Sequence, residues 1–514
     1  MGGPLPRDAT VAVIGAGAMG AGIAQIAARA GHRVLLHDVR EGAAAAAARS
    51  MATTLEALVA KGKLAADAAA QAAARIHPIA TLKEASGAAL VVEAIVEDLA
   101  VKRRLLAELE GIVAPDAILA TNTSSLSVTA MAAGLAHGAR VVGMHFFNPA
   151  PVMPLVEVIR GLATSDAVMQ TIHATAIAWG KAPVYASSTP GFIVNRCARP
   201  FYAEPLRLLT ERAADHATLD AVFREAGGFR MGPFELMDLI GHDVNFAVTH
   251  SVWEAYFHDP RFTPSVLQRE RVNAGYLGRK SGRGFYDYAP DAARPAASSE
   301  PSGALSGSLT VHGHLGPAHA LVARWRSAGV SLTEAPALDA LPAGAIAVGD
   351  AVLALTDGRT ATARAAEEGV RDLVLFDLAL DYGTCTRLAV AHADRCAPPA
   401  YRTACAALQA AGIAVSRLDD VAGLAVMRTV AMLANEAADA VTQGVATAGD
   451  LDLAMQKGVN YPRGPLTWAD AIGVARVREV LIHLAATYGE DRYRTAPLIQ
   501  RRALDGSSLS QASP

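Results

Sequence analysis

The sequence predicts an α/β protein: a doubly wound, Rossmann-type parallel sheet, an all-helical domain after it, then a degenerate second α/β segment and a repeat of the helical domain. Three observations carry this. Short aliphatic runs alternate with helical stretches from Thr10 to about Ile159, the rhythm of a sheet with helices on its faces. The first run leads directly into Gly15-Ala16-Gly17-Ala18-Met19-Gly20. The helical part is written twice at constant spacing.

Bulk composition sets the frame. A chain of 514 residues is too long for one core and predicts several domains. The 52% apolar and 18% charged content suits compact folding, and a net charge of −3 recruits neither nucleic acid nor an anionic membrane. No run reaches the roughly 18 apolar residues of a membrane span, and the N-terminus lacks signal-peptide features, so the cytoplasm is expected. Cys197, Cys385, Cys396 and Cys405 form no CxxC pair, and His312-Gly313-His314 has no third ligand nearby, so no metal is expected.

Taken in order, Thr10–Ile14 reads as a buried strand and the residues after the glycine turn as an apolar helix to about Ala30. Between strand and helix, Gly15, Gly17 and Gly20 permit a tight turn and close approach of a pyrophosphate to the helix start at Ala18 and Met19. A second strand, Arg33 to Asp38, ends in an acid 18 residues beyond Gly20. A carboxylate there takes both ribose hydroxyls and repels a 2′-phosphate, which favours NAD over NADP; Arg40 weakens that preference. Glu41–Ala74 is helical in composition, with Lys61-Gly62-Lys63 at a helix end. Lys61 is either part of a solvated turn or a contact to an acidic substrate handle such as a nucleotide phosphate. The strand Ala89–Ile95 is followed by Glu97 and Lys102, at the edge where open α/β sheets bind ligands. Ala117–Ala120 ends in Thr121-Asn122-Thr123-Ser124-Ser125, a helix cap, a ligand-binding cluster, or both.

Val141–Asn148 then delivers His145, and Pro154–Ile159 carries Glu157 among aliphatic neighbours. A lone buried acid is costly, and the nearest titratable partner in sequence is His145. A carboxylate on one ring nitrogen leaves the other free to move a proton; the bland alternative is a histidine that merely ends a core strand.

From Pro190-Gly191 the alternation gives way to helices, with Asn195 at a helix start and a flexible basic loop, Leu277–Tyr286, closing the unit. The Ala/Pro/Ser/Gly-rich stretch that follows reads as a linker. Strand-like runs at Ser308–Val311, Ala345–Val348 and Leu373–Phe376 return without a glycine turn. Gly191–Arg196 corresponds to Gly423–Arg428, and Gly232–Gly241 to Gly464–Gly473, both at an offset of 232. Asn195 becomes Met427 in the second copy, which argues for polar chemistry in the first copy only. The expected domains are 1–188, 189–288, 309–420 and 421–514, with 289–308 as the linker.

The ordered motifs IGAGAMG, VVEAIVEDLAVK, NTSSL, GMHFFNPAPVMPLVEVI, PGFIVNR, GPFELMDLIG and LGRKSGRGFY resemble the 3-hydroxyacyl-CoA dehydrogenase family from Val11 to about Tyr288. The two-copy layout resembles long bacterial members that act on 3-hydroxyadipyl-CoA in phenylacetate catabolism. This resemblance implies His145 and Glu157 as the catalytic pair, with Ser124 and Asn195 holding the substrate oxygen. It implies dinucleotide contacts by Asp38, Glu97, Lys102 and Lys280, beside the turn residues and Asn122, and it implies NAD, an acyl-CoA substrate and a homodimer. A short-chain 3-hydroxybutyryl-CoA enzyme, a reductase of small hydroxy acids and an inactive dinucleotide-binding structural protein are the competing readings. A six-carbon diacid also calls for a cation at the end of its chain, for which Arg196, Arg199 and Arg230 are available, each of them reading equally well as a solvated or ion-paired residue.

Overall fold

The computed structural model describes residues 2–512, which form two compact units. The first comprises the chain up to Arg196 together with Gln443–Val459; the second comprises Cys197–Thr442 and the chain from Asn460 onward.

The first unit is built on eight strands: β1 (Thr10–Ile14), β2 (Arg33–His37), β3 (Ile76–Pro78), β4 (Leu90–Glu93), β5 (Ile118–Thr121), β6 (Val141–Phe146), β7 (Leu155–Arg160) and β8 (Ala182–Ser187). Their order is β3-β2-β1-β4-β5-β6-β7-β8. Every pair is parallel except β6 with β7. The expected doubly wound sheet is therefore present, and the six aliphatic runs all form strands. Two strands carried no signal. β3 has three residues ending in proline, and β8 contains Pro183 and an exposed Tyr185 at a sheet edge, where proline is tolerated.

Valines and leucines on β1, β2 and β4 are fully buried against α1 (Ala18–Ala30), whose Ile23, Ala24 and Ala27 face them. The expected helical stretch after β2 divides into α2 (Ala43–Ala60) and α3 (Ala66–Ala74). At the far edge, the helix Ala448–Val459 packs on β7 and β8. Gly458 allows this approach, since a Cβ there would lie 2.5 Å from Leu155 Cδ2. Ser187 N also donates to Val445 O at 2.8 Å.

The second unit contains a seven-stranded mixed sheet, β10-β9-β11-β12-β13-β14-β15. Its strands are β9 (Leu309–His312), β10 (Leu332–Ala335), β11 (Ala345–Val348), β12 (Ala351–Leu355), β13 (Leu373–Phe376), β14 (Arg387–His392) and β15 (Ala414–Arg417). The helix His216–Glu225, counterpart of Ala448–Val459 at the 232-residue offset, packs on β14. The stretch expected to be a linker is irregular but fixed. Ser298 N donates to Thr218 Oγ1 at 2.9 Å, Ser416 Oγ donates to Ser298 O at 2.7 Å, and Glu300 N donates to Val415 O at 2.7 Å. Composition reports the lack of regular structure and is silent on backbone groups that find partners. Among the described residues no helix is long and apolar enough to cross a membrane, and the four cysteines are buried and outside disulfides.

The hairpin β6–β7 depends on Gly143. A Cβ there would sit 2.6 Å from Ile159 Cβ and 3.1 Å from Val128 Cγ2. Gly143→Ala should overpack this seam and cost about 1–3 kcal/mol, read as a lowered urea midpoint.

Candidate active site

The antiparallel register of β6 and β7 sets His145 directly opposite Glu157. Residues opposed on one face of a hairpin have their side chains in contact, and here Nδ1 of the imidazole meets Oε2 at 2.6 Å. A carboxylate accepts, so Nδ1 carries the hydrogen and Nε2 is left as the basic nitrogen. The pairing expected from sequence is therefore formed. His145 is 5% exposed, with Phe147 and Phe192 rings 4.5 and 6.0 Å from its own.

Glu157 has a second task. Its Oε1 accepts from Ile193 N at 3.0 Å and Val194 N at 2.9 Å. These N–H groups are exposed by a left-handed turn, Gly191 at φ 75° and Phe192 at φ 47°, before the short helix Val194–Cys197. The next residue is Asn195, whose Nδ2 donates to Ser124 O at 3.1 Å. Ser124 in turn donates from N at 2.8 Å and from Oγ at 3.2 Å to Glu97 Oε1. His145, Glu157, Asn195, Ser124 and Glu97 are thus joined in one run of hydrogen bonds and adjacent backbone.

The strand-end cluster is organised by carboxylates to a degree the sequence did not reveal. Glu97 Oε1 also accepts from Thr123 Oγ1 at 2.7 Å, and Lys102 Nζ lies 3.2 Å from Oε2. Burial raises the Glu97 pKa, but Lys102 and the hydroxyl and amide donors outweigh it and hold the carboxyl below its ordinary range. Lys102, on the helix Leu99–Glu110, was expected to touch the dinucleotide. Its side chain is 1% exposed and is held between Glu97 and Glu93 Oε1, the latter at 2.6 Å. Glu93 was missed, although it offers the same signal as Glu157: an acid at the end of an aliphatic strand. It accepts from Lys102, from Thr121 Oγ1 at 2.6 Å and from Ile95 N at 2.7 Å. Asn122 Oδ1 accepts from Phe146 N at 2.8 Å and so ties β5 to the residue after His145.

At the glycine turn, two of the three glycines answer to the protein itself. A Cβ at Gly15, which has φ 106°, would run into the Ala94 carbonyl, and one at Gly20 into the carbonyl of Gly15. A Cβ at Gly17 would meet no protein atom within 4 Å. Gly17 caps α1 without a side chain, which leaves the Ala18 and Met19 end of the helix open to close approach by phosphate oxygens. The turn thus fits a pyrophosphate. Asp38 Oδ2 accepts from Ala16 N at 2.8 Å, and Oδ1 takes Arg40 N and Nε at 3.0 Å each. The Arg40 guanidinium, ahead of the amide donors, holds the Asp38 carboxyl far below its usual range. Arg40 therefore backs the acid rather than standing free to receive a 2′-phosphate.

Other expected contacts lie apart from this cluster. Lys61 is exposed at the end of α2. Lys280 belongs to the second unit and pairs with Asp243 at 2.5 Å. Of the three arginines, Arg196 is buried and donates to Gln443 Oε1 at 2.9 Å, Arg230 is exposed, and Arg199 is buried in the second unit.

The second unit lacks the histidine–carboxylate pair in the same frame. At the offset of 232, β13 begins where β6 does and β14 where β7 does, so His145 falls on Asp377 and Glu157 on Ala389. Asp377 reaches the equivalent turn unaided, accepting from Ala425 N, Val426 N and Met427 N at 3.0, 2.7 and 2.9 Å.

A nicotinamide-dependent oxidoreductase is the class that the sheet, the glycine turn and the histidine–carboxylate pair define together. Comparison with known proteins makes the class specific: the chain belongs to the 3-hydroxyacyl-CoA dehydrogenase family of NAD-dependent enzymes. The family's NAD binding domain matches residues 10–189, and its C-terminal domain matches residues 191–288 and again 423–512. A 3-hydroxybutyryl-CoA dehydrogenase reduced Rossmann-fold domain matches residues 353–421, in line with the degenerate segment expected there. The chain is 42% identical over 495 residues, 96% of its length and 97% of the relative's, to the 3-hydroxyadipyl-CoA dehydrogenase of Escherichia coli. A crystal structure of 3-hydroxybutyryl-CoA dehydrogenase from Escherichia coli superposes with a TM-score of 0.87 at 42% identity, covering 97% of this chain and 98% of that one. The (S)-3-hydroxybutyryl-CoA dehydrogenase of Ralstonia eutropha matches at 40% identity and a TM-score of 0.53, over 55% of this chain and 99% of its own.

Because Glu157 serves three donors while fully buried, Glu157→Ala strands all of them and should cost about 3 kcal/mol or more. Glu157→Gln keeps the oxygen facing Ile193 and Val194 and should cost less. Urea denaturation should rank wild type above E157Q and E157Q above E157A.

Proposed function

We propose that the chain oxidises a (3S)-3-hydroxyacyl-CoA to the 3-oxoacyl-CoA, with 3-hydroxyadipyl-CoA, an intermediate of phenylacetate breakdown, as its substrate. The observation that carries this reading is the 2.6 Å contact between His145 and a Glu157 that also anchors the turn bearing Asn195. NAD, when bound, accepts the hydride that leaves C3. His145 Nε2 takes the hydroxyl proton as the hydride departs, and Glu157 holds the ring and stabilises the imidazolium. Ser124 and Asn195 are neutral donors that orient the C3 oxygen and the thioester without competing for the proton. Gly15, Gly17, Ala18, Met19 and Gly20 cradle the pyrophosphate and Asp38 the adenosine ribose, while Glu97, Asn122 and Lys280 are assigned to the dinucleotide and Lys61 to the substrate's nucleotide end.

The six-carbon substrate is supported by the name of the Escherichia coli relative that matches this chain from end to end. The second reading, a 3-hydroxybutyryl-CoA dehydrogenase, is supported by the name on the matching crystal structure and by relatives about half as long, such as that of Ralstonia eutropha. The resemblance adds a homodimer to the proposal, and the absence of disulfides among four buried cysteines supports a reducing compartment such as the cytoplasm.

Initial rates of NADH formation at limiting substrate test the choice: 3-hydroxyadipyl-CoA should exceed 3-hydroxybutyryl-CoA, and the reverse order would favour the short-chain reading. His145→Gln should lower kcat by at least about a hundredfold while NADH binding, followed by fluorescence, persists; near-normal turnover would overturn the assignment. In the same titration Asp38→Ala should weaken NADH by about tenfold or more through loss of charge-assisted bonds to the ribose. Arg40→Ala should change it by less than about threefold, because an exposed ion pair contributes little.

A further inference from the structure

Within the second unit, the helices Arg199–Thr210, His242–Ala255 and Val266–Asn273 line a cavity of about 600 Å3, which Arg492 also borders. Much of its wall is apolar, with Leu206, Leu209, Pro264 and Leu267 in it. Two arginines of the wall are short of partners. Arg199 is 5% exposed; Nη1 donates to Thr249 Oγ1 at 2.8 Å, the guanidinium carbon lies 4.9 Å from the centre of the Tyr202 ring, and Nε has no hydrogen-bond partner. Among the described residues no carboxylate pairs with it. Arg492 is 7% exposed and its Nε also lacks a hydrogen bond; the carboxylate it meets, Glu490, stands 3.6 Å away and already holds Arg207 through both oxygens, at 2.8 and 2.5 Å. The acids of the wall are committed elsewhere: Glu211 pairs with Arg428 at 3.1 Å, and Glu270, at the surface, accepts from Asn273 at 3.0 Å.

A guanidinium keeps its proton at any ordinary pH, so a buried one is a fixed positive charge. Left without a counter-ion it is costly. Elsewhere this unit supplies one: Arg428, fully buried, has Glu204 at 2.7 Å and Glu211, and Arg261 has Asp259 at 2.9 Å. Around the cavity, among the described residues, Arg199, Arg207 and Arg492 have between them only the carboxylate of Glu490 within 4 Å. Burial pulls the pKa of Arg199 and of Arg492 down, and the groups near them offset only part of the effect. The wall therefore carries surplus positive charge. An apolar hollow of that kind fits a ligand with an aliphatic body and one anionic end, and it fits a strongly hydrated anion poorly, since such an ion has no apolar surface to bury there.

We propose that this cavity binds a free aliphatic carboxylate of medium chain length, with Arg199 as the cation that receives the head group. Thr249 fixes the guanidinium plane through Nη1. The carboxylate takes an N–H of Nη2, which makes no hydrogen bond among the described residues, and the aliphatic chain lies along Leu206, Leu209 and Leu267. Arg492 adds a second positive charge to the wall. Every residue of this site belongs to the second unit, so the proposal stands apart from the dehydrogenase reading given above.

The test titrates octanoate, 1-octanol and inorganic phosphate by calorimetry into the full chain. Octanoate and octanol share their aliphatic chain and differ in charge. Wild type should bind octanoate at least about tenfold more tightly than octanol, the effect of one charge-assisted hydrogen bond, and more tightly than phosphate. Arg199→Met, similar in volume and uncharged, should bring octanoate down to the level of octanol, and Arg199→Lys should keep part of the preference. Equal binding of octanoate and octanol by wild type, tighter binding of phosphate, or a preference that R199M keeps would overturn the proposal and leave the dehydrogenase standing. Val266 lies in the cavity wall and is 76% exposed, so Val266→Glu decides the question even where R199M fails to fold. The added negative charge should weaken octanoate by at least about threefold and octanol by less; an unchanged octanoate affinity in V266E would also overturn the proposal.

Discussion

The structure depends most on the matching of one buried carboxylate. Glu157 has no solvent on either oxygen, and each is engaged by a donor from a different part of the chain: the His145 ring on β6, and the Ile193 and Val194 amides of the turn after β8. Unmatched, such a group costs several kcal/mol, and with its donors in place it fixes them all. One carboxylate therefore sets the tautomer of the His145 ring and the position of the backbone that presents Asn195. Through Asn195 Nδ2 and the Ser124 carbonyl the constraint continues to the strand-end cluster at Glu97.

The second half of the chain separates the structural part of this arrangement from the chemical part. The left-handed turn recurs there, with Gly423 at φ 75° and Leu424 at φ 53°, and it again exposes amides that need an acceptor. Asp377 supplies one from the position His145 holds in the first sheet, while Ala389 replaces Glu157. The turn's demand for a carboxylate survives where the imidazole does not. A shorter acid at the end of the nearer strand meets the demand by itself, so nothing in the backbone requires a histidine there.

Much of this was legible in the sequence because it rests on local pattern. The six aliphatic runs of the first sheet are strands fixed by their own composition, and the likelihood of a partner for Glu157 follows from the cost of burying it alone. The pairing itself is a matter of register, two residues twelve apart across a hairpin, which a short connection favours. What escaped notice depends on distant partners. β12, β14 and β15 lie in stretches where alanine blurs the difference between strand and helix, and β3 is too short to carry a pattern. Lys102 was read as a dinucleotide contact because its two acids, Glu93 and Glu97, are brought to it only by the helix that follows β4. The segment read as a tether carries no periodicity, yet its amides and carbonyls pair with β15 and with Thr218.

The second sheet repeats the first only in part. The correspondence between halves holds for the strands that approach the helical domain: β12 runs parallel to β13 as β5 does to β6, β13 is antiparallel to β14 as β6 is to β7, and β14 is parallel to β15 as β7 is to β8. It fails beyond β12, where β11 is antiparallel to its neighbours on both sides, whereas β4 and β1 in the first sheet are parallel to theirs. β9 and β10 are parallel to each other, as β1 and β2 are, but the chain between β9 and the helix Ala320–Ser327 carries no GxGxxG turn. The retained half is the one that carries the turn and its acid. The helix His216–Glu225, packed on β14, gives that retained half a reason to persist: the second sheet keeps the strands on which the first helical copy rests.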